Sequence, residues 1–218
     1  MSLYNISNII GKYITKEAGF GPGYADRVRY GTEIILGALI KGIVLFTAAG
    51  FWNILPQVIV AFSCGSLLRL VSGGAHCTGY LRCLGFGLLV YLSIGKVALY
   101  LERFISPDQL APILLSGFLI MTLCALLWAP AQVPYRPINF NEAIFFKSLT
   151  ITILAVCLTI AFLFSNQIKM SFMMAGLLSL LAQTFSFSPP GYLVIGKIDT
   201  FLLNITSKKG GVPDNAEN

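Results

Sequence analysis

The chain has 218 residues, of which 56% are hydrophobic and only 11% are charged. Soluble domains carry about 25% charged residues, so this composition excludes a water-soluble fold of the same size. The mean hydropathy of +0.78 and several apolar runs of about 20 residues indicate a protein that crosses a lipid bilayer repeatedly. The net charge of +6 is explained by the positive-inside rule, so no nucleic-acid partner is expected.

The first predicted element is an amphipathic helix within residues 1–20. At 100° per residue, one side of this helix is apolar and the other carries asparagine, lysine and threonine, which is typical of a helix lying in the membrane interface. The glycine-rich segment 19–23 ends it. The apolar side either anchors the chain or helps to receive an amphipathic partner; its residues are Leu3, Ile6, Ile9, Ile10, Tyr13 and Ile14.

Apolar segments long enough to span a bilayer follow, and the sequence predicts an all-α polytopic membrane protein with about six transmembrane helices. The predicted spans are 33–52, 54–71, 84–101, 110–129, 148–164 and 169–187. We expect residues 1–204 to form a single membrane-embedded domain and residues 205–218 to form a cytosolic tail.

Lysine and arginine are distributed unevenly over the connections between these spans. Eleven of them fall on one side and only Arg103 and Lys169 on the other. Because positively charged loops remain in the cytosol, both termini, the 69–83 loop and the 130–147 loop are predicted to be cytosolic.

Two further lysines, Lys41 and Lys96, fall inside predicted spans. A lysine at the bilayer centre costs about 3 kcal/mol on insertion scales, so it requires water or a partner. Either the side chains reach the interface, or they line a polar cavity between helices. The second possibility would suit a small transporter or peptide exporter.

The 69–83 loop holds the residues best suited to chemistry, including His76, the only histidine in the chain. A cysteine attacks as a thiolate, and an imidazole can accept its proton and later return it. Cys83 lies seven residues after His76, about 10.5 Å of rise in a straight helix, so the chain must fold back between them, and Gly79 offers a place for this. Cys83 would then begin the third span, where the helix N-terminus and Arg82 favour a thiolate.

Two other interpretations of the loop were weighed from the residues alone. A histidine and a cysteine in one connection can be incidental. A zinc site is disfavoured because His76, Cys77 and Cys83 leave a fourth ligand missing, and no metal or cofactor is predicted.

The loop resembles the accessory gene regulator protein B (AgrB-like) family of membrane endopeptidases. The matching residues are Arg69, the run Gly73-Gly74-Ala75-His76, and Cys83 at its spacing from the histidine. A second block, Trp128-Ala129-Pro130-Ala131 followed by Pro134 and Pro137, is similar to the family's Ala-Pro motif. Cys77 is a departure from the pattern.

The resemblance implies that Cys83 is the nucleophile and His76 the general base and acid. Family members cut the C-terminal part from a small amphipathic precursor peptide through a thioester, and cyclisation then yields an autoinducing quorum-sensing peptide. Arg69 would hold an acidic part of the precursor or serve as a cytosolic anchor. Gly74 would permit close backbone approach or serve as a turn residue.

The same resemblance implies a bacterial plasma-membrane protein with its active site on the cytosolic side, in contact with lipid and acting as a homodimer. Two other classes remain open from the residues: the transporter or exporter without proteolytic activity, and a structural membrane subunit in which the loop is only a connection.

Overall fold

The computed structural model of the protein describes residues 3–19, 21, 24–131 and 139–209, and these ranges form eight α-helices and no β-strand. The helices are α1 (Leu3–Glu17), α2 (Ala25–Phe51), α3 (Leu55–Ser72), α4 (Tyr80–Leu101), α5 (Pro107–Trp128), α6 (Phe140–Leu163), α7 (Met170–Ser186) and α8 (Pro189–Lys209). Helices α2 to α6 are each long and apolar enough to cross a membrane, and α7 with α8 qualifies as a sixth, bent span. The prediction of an all-α polytopic membrane protein is therefore confirmed.

The chain divides into two compact units, of which the first, residues 1–51, contains α1 and α2. Helix α1 packs on α2 through a stripe of small residues, Ser7, Gly11 and Thr15, all of them buried. A Cβ on Gly11 would lie 2.9 Å from the Arg29 backbone, so the close approach of the two helices depends on this glycine. The apolar side of α1 stays exposed, as an interfacial helix requires.

The second unit, from Trp52 onwards, is built around α7, which packs against α3, α4, α5 and α8. Small residues bring these helices together, as is usual where lipid supplies no hydrophobic force between helices. A Cβ on Gly65 of α3 would lie 2.5 Å from the Ser179 hydroxyl of α7. That hydroxyl donates a hydrogen bond of 2.5 Å to the Ala61 carbonyl. Helices α3 and α7 are therefore in direct contact at this position.

Helices α3, α5, α6 and α7 also enclose an apolar cavity of about 410 Å³. Leucine, isoleucine, phenylalanine and methionine side chains form most of its wall, together with the thiols of Cys64 and Cys157. The membrane-spanning part of this unit thus contains an apolar space.

The helix boundaries differ from the predicted spans mainly at the N-terminal ends. Helix α2 begins at Ala25 instead of residue 33, α4 at Tyr80 instead of residue 84, and α6 at Phe140 instead of residue 148. Helix α8 was not predicted, because the last predicted span ends at residue 187, before the Pro189-Pro190 pair. Proline is equally suited to the first turn of a new helix, and here it opens one at 87° to α7. Helix α8 also includes residues 205–209 of the predicted tail, and residues 210–218 lie outside the described ranges.

The position of Lys96 favours the first of its two alternatives, in which the side chain reaches the membrane interface. Its Nζ donates to the Trp52 carbonyl oxygen at 3.4 Å, and the contact is exposed. The side chain therefore reaches a helix terminus, as the interface interpretation expects. Lys41 is half-buried on α2.

The ends of four helices of the second unit meet at one end of the bundle. The Ala131 N–H donates to the Ser72 carbonyl oxygen at 2.8 Å, which joins the segment after α5 to the end of α3. Lys147 of α6 donates to the Leu126 carbonyl oxygen of α5 at the same end. The connections that follow α3 and α5 therefore lie together, as the alternating charge distribution predicted.

Candidate active site

The connection between α3 and α4, residues 73–79, begins with a reversal that only glycine accommodates easily. Gly73 has φ +67° and Gly74 has φ +136°, in the region that disfavours residues with a Cβ. Gly79, the predicted turn position, lies in a bend with Thr78 and serves as the N-cap of α4, with φ −98° and ψ 140°. The chain therefore reverses before His76, at Gly73 and Gly74, and bends again at the predicted position.

The first half of this connection is held by Gln183, a buried amide on α7. Its Nε2 donates to the Gly73 carbonyl oxygen at 2.7 Å and to the Ser72 hydroxyl at 3.1 Å. Its Oε1 accepts a hydrogen bond from Arg69 Nη1 at 3.3 Å. The amide therefore uses both its donor and its acceptor on the residues around the turn.

Arg69 contacts the same segment directly. Its Nη2 donates to the Ala75 carbonyl oxygen at 2.8 Å, one residue before His76. The Ala75 N–H in turn donates to the Ser186 carbonyl oxygen at the end of α7, at 2.9 Å. Arg69 thus has partners within the protein and helps to fix the backbone that leads into His76; a further contact with an acidic part of a precursor stays a prediction.

Gly74 lies where α7 leaves no room for a side chain. A Cβ at this position would lie 2.5 Å from the Ser186 hydroxyl oxygen and 3.3 Å from Gln183 Nε2. Gly74 thus lies against the C-terminal end of α7, and its role in the activity stays a prediction.

The second half of the connection is held by Asp199 of α8, whose side chain is 12% exposed. Its Oδ2 accepts hydrogen bonds from the Thr78 N–H at 3.1 Å and the Thr78 hydroxyl at 2.7 Å. Its Oδ1 accepts from Arg82 Nε at 2.8 Å, and Arg82 Nη2 donates to the Thr78 hydroxyl at 2.8 Å. A buried carboxylate is stable only when paired in this way.

This ion pair changes the role expected of Arg82. The sequence analysis placed its charge beside Cys83, where it would favour a thiolate. In the structure the Asp199 carboxylate neutralises that charge, and the guanidinium serves to join α4 to α8.

His76 lies between the two clamped halves, and its side chain is exposed. Its Nδ1 is 3.1 Å from the Cys77 carbonyl oxygen. Because a carbonyl oxygen can only accept, this contact requires the proton on Nδ1 and leaves Nε2 as the basic nitrogen of the neutral ring. The imidazole is therefore held in a tautomer that can accept a proton from a partner.

Cys83 lies in the first turn of α4, and its thiol is half-buried. Its N–H donates to the Gly79 carbonyl oxygen at 2.9 Å, so it forms the first hydrogen bond of the helix. The positive end of the helix dipole at this position favours an anion. The predicted place of Cys83 at the start of the third span agrees with the structure.

Cys77 is buried, with 4% of its surface exposed. It packs with Ala75 and Ile195 in a small cluster that Cys83 and Phe86 flank. Burial raises the pKa of the Cys77 thiol, and the Asp199 carboxylate raises it further, while Arg82 lowers it. A buried thiol of raised pKa is a poor nucleophile, so Cys83 is the better candidate of the two.

The sequence analysis missed Gln183 and Asp199, which hold the two halves of the connection. Each of the two residues stands out from its neighbours in the sequence. Gln183 is a polar residue inside an apolar segment, and Asp199 is an acidic residue on an otherwise mostly apolar or neutral stretch. Polar residues at membrane depth usually have a partner or a function. The proline residues of the second motif, Pro134 and Pro137, lie outside the described ranges.

Fold and site together define a multi-span membrane protein with an exposed histidine and a helix-terminal cysteine at a connection clamped from three helices. The chain belongs to the accessory gene regulator B (AgrB) family, whose profile matches residues 4–187. Two AgrB-like proteins of Clostridium perfringens, from strain SM101 / Type A and strain 13 / Type A, are each 28% identical over 91 residues. The aligned part covers 42% of this chain and 42% of each relative. No solved structure matches the chain.

Proposed function

We propose that this chain is a membrane cysteine endopeptidase that processes a small precursor peptide into a cyclic autoinducing signal. The observation that carries the proposal is the clamped connection, which presents the basic Nε2 of His76 and the thiol of Cys83 within the segment matched by the AgrB family. Membership of that family supports a role in autoinducer peptide processing.

The reaction begins when His76 Nε2 accepts the proton of the Cys83 thiol. The thiolate attacks the carbonyl carbon of the scissile peptide bond, and the tetrahedral intermediate collapses as His76 protonates the leaving amine. The C-terminal fragment departs, and the retained fragment is bound to Cys83 as a thioester. A thiol or hydroxyl of the retained fragment then attacks this thioester, which closes the ring and returns the Cys83 thiol.

The thioester preserves the reactivity of the broken bond for ring closure, whereas water would dissipate it. The small cluster of Ala75, Cys77 and Ile195 beside Cys83 provides an apolar surround that disfavours water at this position.

The partner of the reaction would be a small amphipathic peptide lying on the cytosolic leaflet. Ile6 and Tyr13 of α1 are exposed, which suits a helix that docks such a peptide or anchors in lipid. Replacing Ile6 and Ile10 with Asn should lower cleavage while the chain still inserts. Unchanged cleavage at normal expression would reject the docking role.

The site would face the cytosol, because eleven Lys and Arg residues lie on its side of the predicted topology and two on the other. A His76→Cys variant on a background without the natural cysteines should react with a membrane-impermeant maleimide only in inverted vesicles. Reaction from outside intact cells alone would overturn this orientation.

The catalytic assignment is tested by expressing the full chain together with a tagged small amphipathic precursor peptide. Cys83→Ala, Cys83→Ser and His76→Ala should each abolish cleavage, with losses beyond the ~10²–10⁴-fold typical of acid–base catalysis, because the two residues act as a unit. No other histidine exists to replace His76. Cys77→Ala, which alters the buried thiol, should stay active.

The acyl-enzyme gives a second, direct test. Quenching the reaction in acid should leave the mass of the retained fragment on the peptide that contains Cys83, and hydroxylamine should remove it. An adduct on Cys77, or cleavage by Cys83→Ala, would refute the assignment. Two observations give the exporter alternative no support: the cavity among α3, α5, α6 and α7 is apolar, and Lys96 contacts a helix terminus.

A further inference from the structure

Asp199 lies outside the part of the chain that the family profile matches, which ends at residue 187. It is nevertheless attached to the centre of the candidate site. Its carboxylate is almost enclosed and accepts three hydrogen bonds, all from residues of the α3–α4 connection or the first turn of α4. Helix α8 therefore contributes a contact that neither the family match nor the sequence motif contains.

The partners of Asp199 lie between the two proposed catalytic residues along the chain. Thr78 follows His76 by two residues, and Arg82 directly precedes Cys83. The hydrogen bond from Arg82 Nη2 to the Thr78 hydroxyl closes the network into a ring of three side chains. Any rotation of the first turn of α4 relative to the connection would break at least one of these bonds.

We propose that Asp199 is a positioning residue, which fixes the Cys83 thiol relative to the His76 imidazole by binding Thr78 and Arg82 at once. The inference rests on the proposed function of His76 and Cys83. Since the His76 side chain is exposed, the backbone around it decides where the ring lies, and Gln183 holds that backbone before His76 and Asp199 holds it after.

The test measures the reactivity of Cys83 towards iodoacetamide at pH 7, in the full chain with its other four cysteines replaced by alanine. If His76 activates the thiol, His76→Ala should slow alkylation. Asp199→Asn should slow it by about 10-fold to 10²-fold, because a displacement on the order of 1 Å suffices for losses of this size. Asp108→Asn is the matched control, since Asp108 is an exposed carboxylate in the first turn of α5, and its rate should equal that of the parent.

Combining Asp199→Asn with His76→Ala distinguishes a positioning role of Asp199 from a purely structural one. If Asp199 acts through the His76–Cys83 geometry, Asp199→Asn should have no further effect in the His76→Ala background, because residues that act through one interaction are not additive. A further slowing of similar size in that background would refute the proposal. Equal rates for Asp199→Asn and the parent, with His76→Ala slow, would refute it while leaving the proposed function intact.

Two variants of Thr78 keep the test decisive if Asp199→Asn fails to insert. Thr78→Ser preserves the hydroxyl and should retain the parent rate, whereas Thr78→Val removes it and should slow alkylation several-fold. Equal rates for both variants would overturn the proposal. If His76→Ala leaves alkylation unchanged and the natural chain cuts no precursor, the proposed function itself fails, and the positioning role fails with it.

Discussion

Gly74→Ala is the substitution for which the structure gives the clearest magnitude. The added methyl group would lie 2.5 Å from the Ser186 hydroxyl oxygen, and the residue would have to keep φ +136°. Overpacking of this kind costs about 1–3 kcal/mol, and a residue with a Cβ in a sparsely populated backbone region costs about 1–3 kcal/mol more. The variant should therefore lose about 2–6 kcal/mol of stability, or distort the connection to avoid the contact.

The two contributions can be separated with Ser186→Ala. This change removes the hydroxyl that the new methyl group would meet, so the double variant Gly74→Ala/Ser186→Ala should recover the steric part of the loss. The backbone strain at position 74 should remain. The Ser186 hydroxyl donates to the Gln183 carbonyl oxygen, so Ser186→Ala alone sets the baseline, at about 1 kcal/mol.

Thermal unfolding of the purified full chain in detergent, together with cleavage of the tagged peptide in cells, measures both consequences. Gly87→Ala on α4 is the control, because no atom lies within 4 Å of its added Cβ and alanine is the better helix former by about 1 kcal/mol. A Gly74→Ala protein that unfolds at the parental temperature and cuts normally would refute the reasoning. A double variant no more stable than Gly74→Ala would refute its steric half.

Three further outcomes are expected. Gln183→Leu should lower the stability by about 1–3 kcal/mol and reduce cleavage, because the Gly73 carbonyl and the Arg69 guanidinium lose their hydrogen-bond partner. An unfolding midpoint equal to that of the parent would contradict this. Alkylation of Cys77 should be slow at pH 7 and still rising above pH 9, since burial raises the pKa of its thiol; a plateau below pH 8 would contradict the burial. Gly65→Val should lower the unfolding midpoint, because its Cβ would meet the Ser179 hydroxyl at 2.5 Å, and a protein of unchanged midpoint would show that α3 and α7 separate without cost.

The membrane-spanning helices were predictable because each is a property of one continuous apolar segment. The helix boundaries were less predictable. Helix α4 begins four residues before the predicted span, since its first turn is fixed by the cap at Gly79 and by the Arg82–Asp199 pair, and neither depends on apolar character. Helix α8 was missed for the same reason: it carries polar residues and opens with two prolines.

The candidate residues of the site could be named from the sequence, whereas the side chains that support them could not. His76 and Cys83 stood out by rarity and spacing within one short segment. Gln183 and Asp199 are separated from their partners by more than 100 residues, and no pattern in the sequence states which distant polar side chains will meet. The chain bends at Gly79, as its composition suggested, but the reversal at Gly73 and Gly74, where the carbonyl and the Cβ-free backbone face α7, was not predicted.

The contact between Thr78 and Asp199 also has a consequence for the order of biosynthesis. The two residues are 121 positions apart, so at about 5–20 residues per second the ribosome makes Asp199 about 6–24 s after Thr78. For most of that interval the nascent chain contains His76 and Cys83, while Gln183 of α7 and Asp199 of α8 are still to be made. The connection is therefore held from all three helices only when translation has passed Asp199, and a chain that stops earlier carries His76 and Cys83 without the contact to α8.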